Sequence, residues 1–250
     1  SSLFTGDAGQ GESNIRRWLV ENDWVEAIIA LPQNLFYNTG IATYVWVLSN
    51  KKAAHRKGKV QLIDASQWSK PLRKNLGKKN CELSEDDIAR VMAAYDAFAE
   101  TEQSKIFASK AFGYWKVTVE RPLRLRGVEA NRVYSAAKEL KALKESGARD
   151  EAAPPIIAKV HKRGMAADPL RGLFEATVGG KKCVVEYEPD GDLRDTEQIP
   201  LLEEGGIEAF MRREVLPYTP DAWVDETKTQ IGYEVSFTRH FYKPAPLRSL

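Results

Sequence analysis

The stretch WVEAIIALPQNLFYNTGIATYVWVLSN, residues 24–50, decides the fold that we expect for this 250-residue chain. Residues 25–30 form a near-continuous apolar run that Pro32 stops, and residues 43–50 form a second run rich in β-branched and aromatic side chains. Such runs are typical of strands that are covered on both faces, as in a parallel sheet with helices on each side. A polar loop, residues 31–43, joins the two predicted strands.

A third strand and a leading helix complete this pattern. KVQLIDAS, residues 59–66, predicts another buried strand. Upstream, apolar residues recur at helical spacing and predict a short amphipathic helix over 14–21, with Ser13 as its N-cap. The apolar side of this predicted helix is formed by Ile15, Trp18 and Leu19.

The expected fold class is therefore α/β, with the last strands of a Rossmann-like sheet followed by a mixed α+β C-terminal region. We expect two domains, residues 1–80 and residues 81–250. A doubly wound domain also needs earlier βαβ units, with a cofactor loop near its first strand. Those units do not occur in this sequence, so we expect the chain to be a fragment of such a domain.

The region after residue 81 predicts further elements. Ser84 and Asp87 resemble a capping box, and the helix that follows has Ile88, Val91, Tyr95 and Phe98 on one face. The remaining predictions are a strand within 112–125 ended by Pro122, a helix over 132–146 capped by Asn131, a linker or exposed loop over 147–155, a strand over 182–187 and a helix over 203–215.

Positive charge is concentrated in one segment, although the net charge of the whole chain is only +2. Residues 51–79 contain ten Lys or Arg and one acid, Asp64. Such a run attracts nucleic-acid phosphates through counterion release, but a solvated loop has the same composition. The candidate contacts to a DNA backbone are Lys51, Lys52, Arg56, Lys57, Lys70, Arg73 and Lys74.

The loop 31–43 carries the candidate binding site. Phe36 and Tyr37 place two aromatic rings beside the hydrogen-bonding side chains of Asn34 and Asn38. A base extruded from a duplex needs a ring to stack on and polar groups for its edge. The plainer alternative is that one or both rings fold back into the core, and the residues alone favour it.

Three longer stretches carry a resemblance to a known family. They are LVENDWVEAIIALPQNLFYNTGIATYVWVLSNKK (19–52) with RKGKVQLIDAS (56–66), then FGYWKVTVERPLRL (112–125), and finally residues 193–250. Over roughly 150 residues the chain resembles the C-terminal part of the methyltransferase (modification) subunit of type I restriction-modification systems. Residues 127–190 match only loosely.

The resemblance implies a subunit of an adenine-specific DNA methyltransferase that uses S-adenosylmethionine. In this family two modification subunits assemble with one specificity subunit on DNA, and a motor-nuclease subunit joins that complex. The resemblance places Phe36, and secondly Tyr37, where related enzymes stack an aromatic ring on the flipped adenine.

The catalytic Asn/Asp-Pro-Pro-aromatic motif of the family does not occur, since Pro154-Pro155 follows Ala153. We therefore expect no catalytic residue, no bound cofactor and no activity in this chain alone.

The rest of the composition sets bounds on other functions. Two distant cysteines and three scattered histidines have no metal-ligand spacing, and no apolar stretch is long enough for a membrane span. We expect no metal site, no membrane contact and a cytoplasmic location. Two alternatives stay open: a non-catalytic nucleic-acid-binding module, and a structural domain that binds a protein partner.

Overall fold

The computed structural model describes residues 4–134, 137–162 and 164–242, which form a mixed α/β structure with several sheets. The helices and strands, in chain order, are α1 (Gly11–Glu21), β1 (Val25–Ala30), β2 (Tyr44–Leu48), β3 (Lys59–Asp64), β4 (Lys70–Leu76), β5 (Lys79–Glu82), α2 (Glu85–Ala97), β6 (Ser104–Ala108), β7 (Gly113–Glu120), α3 (Ala137–Ser146), β8 (Ile157–Val160), β9 (Phe174–Val178), β10 (Lys181–Tyr187), β11 (Asp195–Pro200), α4 (Gly206–Phe210), β12 (Trp223–Tyr233) and α5 (Phe237–Phe241).

The chain divides into two compact units. The first unit is Ser1–Gly113 with Gly232–Leu250, and the second unit is Tyr114–Ile231. The boundary that we expected after residue 80 falls inside the first unit, because α2 packs on the sheet of that unit and β6 pairs with β3. Among the described residues, no helix has both the length and the apolar character needed to cross a membrane.

The first unit is built on a four-stranded sheet with the order β2-β1-β3-β6. Strand β1 is buried at all six positions, pairs parallel to β3 and pairs antiparallel to β2. The strands predicted at 25–30, 43–50 and 59–66 are confirmed. Their near-continuous apolar pattern is explained for β1 and β3, which occupy the middle of the sheet.

The expectation that β2 is covered on both faces is wrong. Strand β2 lies at one end of the sheet order, and each of its five positions is either exposed or half-buried. Val45 and Leu48 are exposed. An end strand can carry β-branched and aromatic residues without being buried on both faces, because β-propensity reflects local packing as well as burial.

Helix α1 confirms the predicted helix but not its orientation or its cap. It begins at Gly11, with Gln10 as N-cap and no side-chain cap, and Ser13 lies buried within it. Ile15 and Trp18 are 53% and 52% exposed, whereas the face that packs inward contains Arg16, which is 0% exposed.

Three backbone carbonyls surround the Arg16 guanidinium and explain this inversion of the helix. Its nitrogens donate to Tyr233 O at 2.6 Å, Thr5 O at 2.7 Å and Gly6 O at 2.8 Å. A buried cation is tolerated when its donors are satisfied, so an arginine occupies the position where the apolar pattern alone predicts a leucine or a tryptophan.

Helix α2 confirms the predicted capping box. The Ser84 hydroxyl accepts from the Asp87 amide, and the Asp87 carboxylate accepts from the Ser84 amide. Val91 and Tyr95 pack against the buried cluster of β1 and β3, whereas Ile88 is half exposed. The Tyr95 hydroxyl donates to Glu26 of β1, and burial, followed by this hydrogen bond, raises the pKa of Tyr95.

The second unit contains two three-stranded sheets, with the orders β8-β10-β9 and β11-β7-β12. A buried cluster that includes Val117, Ile199 and Met211 forms the core of the sheet around β7. Another cluster, around Leu125 and Ile156, receives Leu140 and Leu143 from α3. The strand predicted at 182–187 is confirmed as β10, and the helix predicted at 203–215 is confirmed as α4 with a π-helical turn at 211–215.

Three boundaries in the second unit differ from the predictions. The described part of α3 begins at 137, and residues 135 and 136 lie outside the described residues. Asn131 has φ 62°, whereas an N-cap residue has extended backbone, so it does not cap this helix. Strand β7 ends at Glu120, two residues before Pro122, where the prediction ended it.

The segment 147–155, predicted as a linker or exposed loop, is a loop that belongs to the second unit rather than a linker between units. Its backbone bonds to residues 124 and 126, and Ala153 is buried. The Gly and Pro content that predicted a linker instead serves the turns of this segment.

The carbonyl cage around Arg16 gives a stability prediction. Arg16→Met should lower the free energy of unfolding by about 3 kcal/mol, because the buried bond to Tyr233 O and the half-buried bonds to Thr5 O and Gly6 O all lose a charged donor. Urea unfolding measures this difference. Arg17→Met is the matched control: Arg17 pairs with Glu21 at the surface, so the cost should stay below about 1 kcal/mol. Equal losses in the two variants would contradict a structural role for Arg16.

Candidate functional site

The topology of the first unit brings two chain segments to one edge of the sheet. Strands β1 and β3 are parallel, so the chain leaves both of them at the same edge. The loop 31–43 follows β1, and the β4–β5 hairpin follows β3 after residues 65–69. The carboxyl edge of parallel strands is where α/β sheets bind ligands. The predicted base-binding loop and most of the basic segment therefore meet at the edge suited to a site.

The hairpin strand β5 runs antiparallel to the loop. Successive residues of the loop contact successive residues of the hairpin in reverse order, as in an irregular antiparallel pairing. The contacts are Cys81 Sγ to Gln33 O at 3.3 Å, Asn80 N to Asn34 O at 3.1 Å, and Lys79 Nζ to Leu35 O at 2.8 Å.

The tip of the hairpin continues the same register. Gly77 has φ 61°, and a Cβ at this position would lie 2.5 Å from Asn38 Oδ1 and 3.0 Å from the Tyr37 ring. Only a residue without a side chain permits this approach, and glycine also accepts the positive φ. The hairpin tip is therefore fitted against Tyr37 and Asn38.

The loop itself holds its two rings out to solvent. Leu35 is buried and anchors the loop, whereas Phe36 is 48% and Tyr37 is 66% exposed. Asn34 and Asn38 adopt left-handed backbone with φ 56° and 57°, which asparagine tolerates better than most residues. The alternative in which the rings fold into the core does not match this geometry.

Two of the candidate DNA-backbone residues have internal roles instead. Lys52 is buried, and its ammonium donates to Asp23 at 2.5 Å and to Lys59 O at 2.8 Å. Arg56 is also buried, with its guanidinium 4.1 Å from the Tyr95 ring centroid. The expectation that these two cations contact DNA is corrected, because each is enclosed by partners within the first unit.

The other candidate cations are available to a ligand. All of them are exposed, and in the part of the chain that the structure describes none makes a salt bridge. They are Lys51, Lys57, Lys70, Arg73 and Lys74. Three of the five lie on β4, the outer strand of the hairpin that contacts the loop.

The chemistry of this edge suits binding rather than bond breaking. It offers two ring faces, two side-chain amides and several cations. Tyr44 also lies here, and burial, followed by the charge of Asp64, raises its pKa, so its hydroxyl keeps its proton. Among the described residues, no group of three His, Cys, Asp or Glu side chains is placed to hold a metal ion.

Open cavities in the second unit compete with this edge as candidate sites. One, about 450 Å³, is lined by Arg149 and Asp190, and these two side chains pair with each other at 2.7 Å. Another contains Arg124 and Asp221, which pair at 3.2 Å. Because these charged side chains pair with each other, the two cavities carry weaker evidence for a ligand than the loop and hairpin do.

Sequence reasoning missed the residues that hold the loop. Lys79 was counted only as part of the basic run, and Gly77 and Cys81 had no assigned role. Gly77-Lys78 between two short segments could have predicted the hairpin turn. Its register against the loop 31–43 depends on the sheet topology, and no local pattern gives it.

An α/β unit with a polar, aromatic loop at the carboxyl edge of its parallel strands defines a class of ligand-binding proteins. Comparison with known proteins shows which members of this class the chain resembles. Residues 1–114 match the model of the N-6 DNA methylase family. This stretch forms most of the first unit and includes both the loop and the hairpin.

The curated relatives are methylase subunits of type I restriction enzymes. The MjaIX subunit of Methanocaldococcus jannaschii is 34% identical over 95 residues, covering 38% of this chain and 16% of that protein. The MjaVII subunit of the same organism is 36% identical over 103 residues, covering 40% of this chain and 17% of the relative. The MpnII subunit of Mycoplasma pneumoniae is 37% identical over 89 residues, covering 36% of this chain and 15% of the relative.

A solved structure of the type I restriction-modification system methyltransferase subunit from Streptococcus thermophilus is 28% identical, with a TM-score of 0.37. The match covers 44% of this chain and 22% of that chain. The resemblance to type I modification subunits is thus confirmed through residues 1–114, and the matched part spans about a sixth of the length of the curated relatives. The resemblance of residues 193–250 lies outside the family match and stays a prediction.

Proposed function

We propose that the chain is part of a site-specific DNA adenine methyltransferase, the modification subunit of a type I restriction-modification complex. One observation carries the proposal. The stretch that matches the N-6 DNA methylase family contains the edge at which two exposed rings, two amides and exposed cations are brought together.

The four-stranded sheet of the first unit would supply the last strands of a Rossmann-like methyltransferase sheet. Its central strands β1 and β3 are parallel, and β1 is buried throughout. Strand β2 has no described strand on its second edge, and its exposed Val45 and Leu48 would be covered by a neighbour there. An earlier strand of the sheet, from upstream sequence, would pair at this edge.

The methyl donor in this proposal is S-adenosylmethionine, as the family implies. The described residues do not fit a cradle for it. In the glycine-rich segment before α1, the carbonyls of Thr5 and Gly6 already accept hydrogen bonds from buried Arg16. The cofactor and the catalytic motif would therefore be held by other residues of the full subunit, and this chain alone would be inactive.

The loop 31–43 would capture the target adenine after it leaves the duplex. Phe36, and secondly Tyr37, would supply the stacking face, and Asn34 and Asn38 would supply hydrogen bonds to the edge of the base. Methyl transfer from a sulfonium needs alignment more than it needs a strong base, so the contribution of the loop would be positioning.

The exposed cations would bind the phosphates that flank the target base. Lys51, Lys57, Lys70, Arg73 and Lys74 are available for this, and Lys52 and Arg56 are not. Such contacts hold a protein on DNA without reading its sequence. Sequence reading would belong to a separate specificity subunit, and the complex would act in the cytoplasm.

The second unit would serve assembly. Many of its charged side chains are paired with each other, such as Glu120 with Arg194 and Lys228. A surface whose charges are internally neutralised suits contact with protein better than contact with phosphates. Its partners in this proposal are the specificity subunit, a second modification subunit and the motor-nuclease subunit.

A second candidate function is a non-catalytic nucleic-acid-binding module. The exposed basic hairpin favours it, since β4 carries three unpaired cations and the sequence has no catalytic motif. This alternative predicts tight, salt-sensitive DNA binding by the chain alone.

The decisive experiment is labelled-methyl transfer to duplex DNA by the full-length subunit with its specificity subunit co-expressed. We expect incorporation at adenine, and loss of incorporation when the sequence upstream of residue 1 is deleted. The isolated chain should bind DNA weakly. A folded, cofactor-bound complex that transfers no methyl group would favour the non-catalytic module.

Capture of the base should depend on the Phe36 ring. Phe36→Ala should weaken capture of a 2-aminopurine placed at the target position by roughly tenfold or more, because one base–ring stack contributes about 1–3 kcal/mol. The fluorescence rise on extrusion measures it. Phe36→Tyr keeps a ring and should retain capture. Ile41→Ala shortens another exposed residue of the loop without removing a ring, so it should also retain capture. Undiminished capture by Phe36→Ala would remove Phe36 from the site.

Phosphate binding should appear in the salt dependence of DNA affinity. Replacing Lys70, Arg73 or Lys74 singly by Ala should reduce the slope of log K against log salt by about 0.9 each. Titrations at several salt concentrations with the assembled complex measure the slope. Lys182→Ala removes an exposed cation of the second unit and should leave the slope unchanged. A slope that responds to all four variants alike would indicate unspecific charge attraction.

A further inference from the structure

The contacts between the loop 31–43 and the β4–β5 hairpin indicate a role that the basic composition of the hairpin does not explain. We propose that the hairpin positions the target-base loop, with Lys79 as the principal positioning residue and Gly77 as the second point of contact. Phosphate binding by β4 and base capture by the loop are then coupled through one element. The inference rests on the function proposed above.

Lys79 differs from its neighbouring cations in what it contacts. Its ammonium donates to the carbonyl of Leu35, the residue directly before Phe36, at 2.8 Å, and the side chain is half-buried. A charge-assisted hydrogen bond to a carbonyl is stronger than a neutral one and fixes the direction of that peptide. The peptide after Leu35 sets where the Phe36 ring projects.

The register of the contacts shows that the hairpin contacts the first half of the loop, residues 33–38, at several successive positions. The hairpin meets residues 33, 34 and 35 through hydrogen bonds from residues 81, 80 and 79. It then meets Tyr37 and Asn38 through the close approach of Gly77. Phe36 lies between these two points of contact, its ring is 48% exposed, and its carbonyl accepts from the Thr39 amide of the same loop at 3.4 Å.

The hairpin and the loop also depend on each other for stability. In the described residues, β4 and β5 pair with each other in a separate two-stranded sheet. A two-stranded hairpin is marginally stable by itself in water. The loop adds one backbone hydrogen bond, to Asn80, and two hydrogen bonds from hairpin side chains, Lys79 and Cys81, so a shift of the hairpin moves the loop.

Phosphate binding and base capture are coupled because the two strands of the hairpin make different contacts. Strand β4 carries the exposed Lys70, Arg73 and Lys74, whereas β5 carries the contacts to the loop. A phosphate that draws β4 toward the DNA displaces β5 with it. The structure thereby links backbone binding to the placement of Phe36.

The first test uses the chain itself, without DNA, so it is independent of the proposed function. Hydrogen exchange of the amides of 33–38 should become faster in Lys79→Met by at least several-fold, and should stay unchanged in Lys78→Met. Lys78 is the adjacent exposed cation, so both variants lose one charge. Equal exchange in the two variants would overturn the positioning role.

A second pair of variants tests the contact at the hairpin tip. It keeps the proposal testable if the lysine variants fail to fold. Gly77→Ala places a Cβ against Asn38 and Tyr37, whereas Gly58→Ala meets no atom within 4 Å at a similarly positive φ of 69°. Both variants carry the same kind of backbone strain, so faster exchange of 33–38 in Gly77→Ala alone supports the contact. Faster exchange in both, or in neither, contradicts it.

The functional test uses the full-length complex and DNA with 2-aminopurine at the target position. Lys79→Met should reduce the extrusion signal about tenfold more than Lys78→Met does, while the two variants lose similar DNA affinity. Lys79→Arg keeps a charged donor and should restore much of the signal. Equal signals from Lys79→Met and Lys78→Met would overturn the coupling, and absence of extrusion by the unmodified complex would instead reject the proposed function.

Discussion

The parallel pairing of β1 and β3 is the constraint on which the site depends. Because the two strands run in the same direction, the chain must leave both at one edge of the sheet. The loop after β1 and the hairpin after β3 are then neighbours, although Leu35 and Lys79, which are hydrogen-bonded, lie 44 positions apart in the sequence. An antiparallel pair would have sent these segments to opposite edges. The aromatic rings and the cations would then have formed two unrelated features.

Buried polar side chains fix β3 against α2 and β6. Gln61 of β3 is fully buried and donates to Ala94 O of α2 and to the Ser104 hydroxyl of β6. Arg56 donates to the side-chain amide oxygen of Gln61 and stacks on Tyr95, so the same network reaches from the sheet to α2. Such networks require every donor and acceptor to find its partner, and a strand slipped by one residue would leave several of them buried without one.

The sequence predicts β1 and β3 well because burial on both faces leaves a strong local signal. The runs at 25–30 and 59–66 and the capping box at Ser84 and Asp87 are set by residues within a few positions of each other. The failures have a different cause. Ile15 and Trp18 form the apolar stripe of α1 but are exposed, because Arg16 finds carbonyls from residues 5, 6 and 233. Hydrogen-bond partners this far apart in the sequence leave no periodic pattern in it. The strands of the second unit, which mix polar and apolar residues, leave no clear pattern either.

The basic segment shows the same limit at the level of the site. Ten cations between 51 and 79 look equivalent in the sequence, yet they divide into three groups in the structure. Lys52 and Arg56 neutralise and cover groups inside the first unit, Lys79 bonds to the backbone of the loop, and the other seven, three of them on β4, are exposed to solvent. The charge composition of the segment indicates only that all ten cations attract phosphates. Which cation binds, which one holds a loop and which one supports the fold depends on the carbonyls and carboxylates that the parallel sheet places within reach.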